Sequence, residues 1–297
     1  MDFAATLFSF DLWFKKNPRE KQLKMQTETL SEKNPIPAFA GVTFDEPSHT
    51  YTLDGVVAPT SVTQLIKPLF DEFDPSNTVD KYFEKWRRTP SSPYYHAIHQ
   101  AASDDDAKTA ILQMWSDKGA EACRLGTKTH KTIEHLLNGG LLADCDVSEI
   151  GGEIEAFQHF DKYMRGRGLV AFRTELLLFH LRSDGQIAAG GAIDALYQNS
   201  ATGELVLVDW KRSKPFGPHV HAPFAKPGYG IASTIHDSQF DKYALQLALY
   251  SAILKRHKVA VTDKMLVRVT ANGEYEAIDA SGSKYDVIAE TLLDELA

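Results

Sequence analysis

Residues 205–211 read LVLVDWK, an apolar run that ends in two charged side chains. The turn residues SATG at 200–203 precede it, and this combination predicts a buried β-strand. Side chains two positions apart lie on the same face of a strand, so Asp209 and Lys211 point the same way. Charged groups at the end of a buried strand are costly unless they have partners. The stretch therefore indicates a carboxylate and an ammonium group placed together for chemistry, although a surface salt bridge between strands would have the same spacing.

The segments around this strand predict an α/β chain. Three strands joined by short turn-type links are expected, and such links predict an antiparallel meander. Helices precede and follow this meander, and a further strand pair and a helix close the chain. The expected strands are 169–181, 186–198, 204–211, 264–270 and 274–278, and the expected helices are 104–138, 148–165, 238–257 and 285–297.

A second acidic residue belongs beside the first pair. Asp194 follows the sequence GGAI at 190–193, in the strand that neighbours 204–211. It can lie opposite Asp209 and Lys211, which gives two carboxylates and one ammonium group in one patch. Hard oxygen ligands of this kind suit Mg²⁺ or Mn²⁺, which bridge to phosphate groups. Lys211 would then position the attacking water or stabilise the developing charge.

The side chains of His130, Glu134 and Glu175 are further candidates for the same patch. His130 and Glu134 lie four apart in the expected helix 104–138 and share one of its faces. An imidazole can complete a carboxylate site for a divalent ion, although a helix-surface pair would show the same spacing. Glu175 lies within an expected strand. If its side chain is buried there it needs a cationic partner, which the patch offers, and if it is exposed it needs none.

Gln246 and Tyr250 share a face of the helix 238–257 and can contact phosphate or stack on a base.

Together these residues form an ordered series that resembles the PD-(D/E)xK nuclease superfamily. The resemblance is to the branch with RecB-type nuclease domains and the mitochondrial genome maintenance exonuclease, and it covers residues 119–271. It implies a restriction-endonuclease-like core, a mixed central sheet flanked by helices, with an N-terminal helical elaboration. The residues that carry it are His130, Glu175, Asp194, Asp209-Trp210-Lys211, Gln246 and Tyr250.

The resemblance also implies a role for each matching residue. His130, Asp194, Asp209 and the carbonyl of Trp210 match metal ligands. Lys211 matches the catalytic lysine, Asp194 and Asp209 belong to the catalytic set, and Glu175 matches an accessory acid. Gln246 and Tyr250 match residues that position the DNA strand. Some relatives carry a four-cysteine iron–sulfur cluster, which a chain with only Cys123 and Cys145 cannot build.

Basic residues cluster where a DNA strand would run. Lys128 lies beside His130, and Arg212 follows the catalytic strand. The segment 81–88, with the sequence KYFEKWRR, interleaves cations with aromatic rings, a pattern that suits single-stranded nucleic acid. A solvated amphipathic helix face would give the same pattern.

Composition limits the classes of function. The chain has 297 residues, 43% of them hydrophobic, and a formal charge of −8, so a uniformly basic nucleic-acid coat is excluded. No apolar run approaches the length of a membrane span, and no membrane partner is expected. Two cysteines cannot make a disulfide framework, and an intracellular protein is predicted.

The leading prediction is a divalent-metal-dependent DNA nuclease, an exonuclease on single-stranded or flap DNA. A structure-specific or restriction-like endonuclease and an inactive, nuclease-fold nucleic-acid-binding protein are the alternatives. The predicted organisation is a tether or docking segment at 1–40, a hairpin with a helical elaboration at 41–118 and the nuclease core at 119–297. The apolar segment 1–14 is expected to form an amphipathic docking helix rather than a secretory signal.

Overall fold

The computed structural model describes residues 28–220 and 225–297. The predicted docking helix at 1–14 lies outside these residues. The strands are β1 (Val42–Asp45), β2 (Thr50–Leu53), β3 (Val56–Val57), β4 (Leu169–Leu181), β5 (Ile187–Asn199), β6 (Leu205–Lys211), β7 (Val261–Val269) and β8 (Tyr275–Asp279). The α-helices are α1 (Leu30–Lys33), α2 (Val62–Ile66), α3 (Pro75–Arg87), α4 (Tyr95–Gln100), α5 (Asp104–Leu137), α6 (Gly151–Gly166), α7 (Gln239–Arg256) and α8 (Ser283–Glu295).

A five-stranded mixed sheet in the order β4-β5-β6-β7-β8 forms the centre of the molecule. The meander β4-β5-β6 is antiparallel, as its short links predict, while β6 pairs with β7 in parallel. A parallel pair needs a crossover connection, and the chain from the end of β6 through α7 supplies it. The mixed α/β architecture expected from the sequence is therefore present.

The two faces of the sheet are covered by different helices, because side chains alternate along β6. Val206, Val208 and Trp210 pack with α6 and the second half of α5. Leu205 and Leu207 face the other way and pack with α7 and α8. Asp209 and Lys211 share the parity of Leu205 and Leu207, so the strand presents them on the α7 side.

The N-terminal part of the described chain adds a second, three-stranded sheet and a small helical cluster. Strands β1, β2 and β3 pair antiparallel, and the predicted Asp54-Gly55 turn joins β2 to β3. Helices α3 and α4 pack against the first half of α5 around their own apolar cluster, which includes Phe83 and Ile111. The boundary expected at 118/119 falls in the middle of α5, which runs unbroken through 34 residues.

Two local expectations need correction. The sequence PTS at 59–61 predicts a helix that continues to Phe70, but the structure has a shorter α2 followed by a 3-10 turn at Lys67–Leu69, because Pro68 cannot donate a helical hydrogen bond. The prolines and glycines of 212–237 predict a long loop, and the structure adds a 3-10 helix at Gly230–Thr234 that belongs to a segment packed on the chain around Leu69 and Asp71. Within residues 28–220 and 225–297, no helix has the length and apolar character that a bilayer crossing requires.

Candidate metal and catalytic site

The site is built around the main chain of Trp210. The main-chain N–H of Trp210 donates to the carboxylate of Asp194 over 2.8 Å, which ties β6 to β5. His130, from α5, places Nδ1 3.4 Å from the same carboxylate and Nε2 3.1 Å from the Trp210 carbonyl oxygen. One helix and two strands therefore converge on a single peptide unit.

The side chain of Trp210 explains why this peptide is well placed. The indole is 2% exposed and packs edge-on against Phe157 and Phe160 of α6. Rings in this arrangement bury a large apolar area with a defined orientation. The backbone between Asp209 and Lys211 is thus anchored from the opposite face of the sheet.

Glu175 reaches the site through an unusual backbone conformation. Its φ of +43° lies in the left-handed region, although it is within the extended strand β4. The neighbouring pairs Thr174 with Ala195 and Leu176 with Ile193 place it across from Asp194. A non-glycine residue pays about 1–2 kcal/mol for this conformation, and such strain concentrates at functional positions.

Three side chains form a candidate metal group. His130, Glu175 and Asp194 each place one ligand atom within 4.8 Å of the others. One imidazole nitrogen and two carboxylates form a donor set that Mg²⁺ or Mn²⁺ can use, and the residues present therefore fit a divalent cation.

The remaining pair of the predicted site lies beside this group. Lys211 Nζ is 2.5 Å from the Asp209 carboxylate and 4.5 Å from the ring centroid of Tyr243 on α7. Asp209 is 3% exposed and is outside the three-residue metal group. The ammonium group is held between a carboxylate and an aromatic face, which fixes its position.

The electrostatics of the site follow from burial and close charges. Burial and the Asp194 carboxylate raise the pKa of Glu175 to about 8. Burial also raises the pKa of Asp209 to about 6, against the attraction of the Lys211 ammonium. Burial disfavours the ionised form of Asp194, but His130 and Lys211 outweigh it and hold the Asp194 pKa below its ordinary value. Burial opposes protonation of His130, yet Asp194 raises its pKa to about 9. The group therefore binds protons that a cation must displace.

Two glycines of β5, Gly190 and Gly191, let neighbouring elements pack closely on the sheet. A Cβ on Gly190 would lie 2.4 Å from the Tyr51 Cβ, and one on Gly191 would lie 2.8 Å from the Tyr250 ring. The N–H of Gly190 donates to the Thr60 carbonyl over 3.1 Å. Burial raises the pKa of the Tyr51 hydroxyl to about 12, and the nearby Glu175 and Asp194 carboxylates contribute to the increase. The hairpin that carries Tyr51 thus lies beside the metal group.

A cavity of about 870 Å³ opens next to the Lys211 pair. It lies between the segment from α2 to Phe73 and the first turns of α7. Tyr243 and Gln246 line it, and Gln246 Nε2 donates to the Tyr250 hydroxyl over 2.9 Å. Of the two residues predicted to position a strand, Gln246 therefore lines the cavity, whereas Tyr250 is buried, 4% exposed, and is its hydrogen-bond partner.

The basic residues predicted to contact DNA have acidic partners. Lys128 donates to Asp146 over 2.7 Å and to Glu149 over 3.1 Å. Arg212 Nε donates over 2.8 Å to Glu153, which is 1% exposed. Both cations are therefore engaged in ion pairs with acidic side chains. In the helical cluster, Arg87 pairs with Glu84 and Asp104.

Sequence reasoning missed two residues of the site, and it named a third, Glu134, that the metal group does not include. Tyr51 gave no signal because its hairpin is distant in sequence. Tyr243 reads as an ordinary core position of α7, although the DKYALQ stretch at 241–246 holds it one turn before Gln246. Glu134 lies one turn after His130, as expected, but is outside the three-residue group.

Comparison with known proteins gives distant similarities. No family model and no curated protein matches the chain. The chain is similar to a solved structure described as a "putative exonuclease" from Eubacterium rectale, with 14% identity, a TM-score of 0.31, and coverage of 94% of this chain and 82% of that one. It is also similar to a protein named SSO0001, with 15% identity and a TM-score of 0.27 over 49% of this chain. The chain spans 60% of the length of SSO0001. Values at this level carry no conclusion about activity.

Proposed function

We propose that this protein is a divalent-metal-dependent nuclease that hydrolyses phosphodiester bonds in DNA. The observation that carries the proposal is the convergence of the group His130, Glu175 and Asp194 with the Asp209–Lys211 pair at one edge of β5 and β6. Acids and a lysine placed together at the end of buried strands are costly for stability. Their arrangement is explained if they serve chemistry on a negatively charged substrate.

Mg²⁺ or Mn²⁺ would be held by His130, Glu175 and Asp194, with the Trp210 carbonyl and Asp209 as further oxygen donors of the same site. The bound ion would supply positive charge to the phosphodiester and lower the pKa of a coordinated water. The Trp210 N–H orients the Asp194 carboxylate, which leaves its other lone pairs for the metal. The left-handed backbone of Glu175 is explained if this conformation serves to bring its carboxylate into the group.

Lys211 acts on the substrate rather than on the metal. Its ammonium group is held by Asp209 and lies over the Tyr243 ring, so it is pre-positioned toward the α7 side. There it stabilises the charge that develops on the phosphate oxygens and orients the attacking water. Because Lys211 remains charged throughout, its main effect is on the transition state.

We further propose that the substrate is single-stranded or flap DNA, attacked from a free end. The hairpin with Tyr51 and the helix α2 pack closely on β5 at Gly190 and Gly191. Side chains of α2, together with Gln246 of α7, line the cavity. A single strand can offer its bases to these elements, whereas the bases of a duplex are paired inside it.

The test compares end-labelled linear strands, duplexes and closed single-stranded circles in Mg²⁺ and in EDTA. We expect metal-dependent degradation of linear single strands and protection of circles. Lys211→Ala should lose most of the rate while retaining its fold, whereas Lys255→Ala, an exposed α7 lysine paired with Glu290, should cleave like the wild type. Cleavage in EDTA, or full activity in Lys211→Ala, would refute the mechanism. Rapid cutting of circles would favour an endonuclease, and binding without cleavage would favour an inactive nucleic-acid-binding protein.

A further inference from the structure

The cavity beside Lys211 has the composition of a binding site. Its walls include the apolar side chains Ile66, Pro68 and Phe70, together with the Tyr243 ring and the Gln246 amide. Tyr243 is shared with the candidate catalytic site, because Lys211 Nζ lies 4.5 Å from its ring centroid. Whatever occupies the cavity is therefore adjacent to the lysine.

An aromatic side chain at the edge of the cavity is poorly explained by packing. Phe73 is 66% exposed, although it is large and apolar. Its ring lies 5.9 Å from that of Trp115, and Trp115 lies 6.0 Å from Trp86 in the helical cluster. Trp86 in turn stacks with Tyr82 at 5.9 Å, and Tyr82 is 37% exposed. Aromatic rings therefore continue from the cavity onto α3.

The charges at the edge of the cavity are compatible with a polyanion. Lys242 Nζ lies 4.9 Å from the Phe70 centroid and also pairs with Asp237. Lys67 is a second cation of the lining. Of the two lining acids, Asp71 is engaged by Lys226 and by the Tyr229 hydroxyl, and Glu72 is exposed. The charge of Asp71 is thus balanced by the loop that packs on it.

We propose that this cavity binds unpaired nucleobases of a single strand, with Phe73 as a stacking platform at its mouth. The inference rests on the proposed function, and it adds the site that makes the enzyme require unpaired bases. A nucleobase has a planar apolar face and a hydrogen-bonding edge, which match the aromatic rings and the Gln246 amide. Bases in a duplex are stacked and paired, so they cannot enter. A strand in the cavity would pass its phosphate beside Lys211.

Binding rather than cleavage provides the test. A short fluorescent oligothymidylate and an abasic strand of equal length are titrated in EDTA against the wild type, Phe73→Ala and Phe73→Tyr. Stacking on an aromatic ring contributes about 1–3 kcal/mol per base, so Phe73→Ala should bind oligothymidylate about 5-fold or more weakly. Phe73→Tyr should retain the affinity, and the abasic strand should bind all three proteins alike.

Tyr163→Ala is the matched control, because Tyr163 is a 43% exposed aromatic residue on α6. Equal affinities of wild type and Phe73→Ala for oligothymidylate, or an equal loss in Tyr163→Ala, would overturn the proposal. Because Phe73 is exposed, its variant should melt like the wild type. Base-dependent binding without any Mg²⁺-dependent cleavage would reject the nuclease and retain the base site. Mg²⁺-dependent cleavage whose KM is unchanged in Phe73→Ala would retain the nuclease and reject the base site.

Discussion

The N–H of Trp210 and the carboxylate of Asp194 are joined by a 2.8 Å hydrogen bond that links two strands through a proposed metal ligand. The same carboxylate therefore has a structural partner and, in the proposed function, a catalytic role. Substitutions at Asp194 can separate the two roles, because an amide oxygen still accepts a hydrogen bond but binds a divalent cation poorly.

We expect Asp194→Asn to fold nearly as stably as the wild type and to lose Mn²⁺ binding. Asp194→Ala should lose the metal as well, and it should also be destabilised by about 1–3 kcal/mol because the Trp210 N–H is left without a partner. Urea unfolding and Mn²⁺ electron paramagnetic resonance measure the two effects. Undiminished Mn²⁺ binding in Asp194→Asn would remove Asp194 from the ligand set.

The backbone strain at Glu175 predicts a difference between two small substitutions. Glu175→Ala keeps a Cβ at a φ of +43°, whereas Glu175→Gly relieves the strain. Both variants should lose metal affinity and activity, but Glu175→Gly should be about 1 kcal/mol more stable than Glu175→Ala. Chemical denaturation of the pair is the measurement. Equal stability, or a less stable glycine variant, would show that the conformation is not strained.

Close contacts at Gly191 predict a steric effect. Its added Cβ would lie 2.8 Å from the Tyr250 ring and 3.2 Å from Val62, so Gly191→Ala should cost about 1–3 kcal/mol and lower activity. Gly119→Ala is the control, because that helical glycine has open space and the substitution should stabilise α5 by about 0.5–1 kcal/mol. Thermal melts that rank the two variants in the opposite order would contradict the packing at β5.

One buried and one half-buried histidine, His180 and His257, predict acid sensitivity of the structure around β4 and α8. His180 Nε2 donates to the Leu293 carbonyl over 2.9 Å, and His257 Nε2 donates to the Phe179 carbonyl over 3.2 Å. Burial lowers the pKa of both below 6.5, so the unfolded chain takes up protons that the folded protein does not. Their contribution to stability is present above about pH 6.5 and is lost as the pH falls, by up to about 1.4 kcal/mol per pH unit for each histidine.

The double variant His180→Gln, His257→Gln isolates this effect from the carboxylates. Glutamine can still donate to both carbonyls but does not titrate. The unfolding free energy of the double variant should therefore decline less between pH 7.5 and pH 5 than that of the wild type. If the unfolding free energies of the two proteins declined in parallel with pH, the histidines would be excluded as the cause of the lower stability in acid.

Sequence patterns were most informative where local physics determines structure. The apolar run at 205–211 and the turns near it predict a strand next to the one that carries Asp194, and the structure has β5 paired with β6. No local sequence pattern indicates the left-handed φ of Glu175, because this conformation depends on the pairing register of β4 with β5. The ion pairs of Lys128 and Arg212 join residues 18 to 59 positions apart, so their neutralisation depends on the tertiary fold. The cavity likewise requires α2 and α7 to meet.

The length of α5 has a mechanical consequence. A helix of 34 residues spans about 50 Å, and it carries Ile111 of the helical cluster at one end and His130 of the metal group near the other. No proline interrupts it, so it bends only gently and behaves as a rod. If a strand bound to the helical cluster shifted the outer end of α5, the orientation of the His130 imidazole toward Asp194 would change with it. In the proposed function, strand binding at the distant helices would then influence the geometry of the metal group.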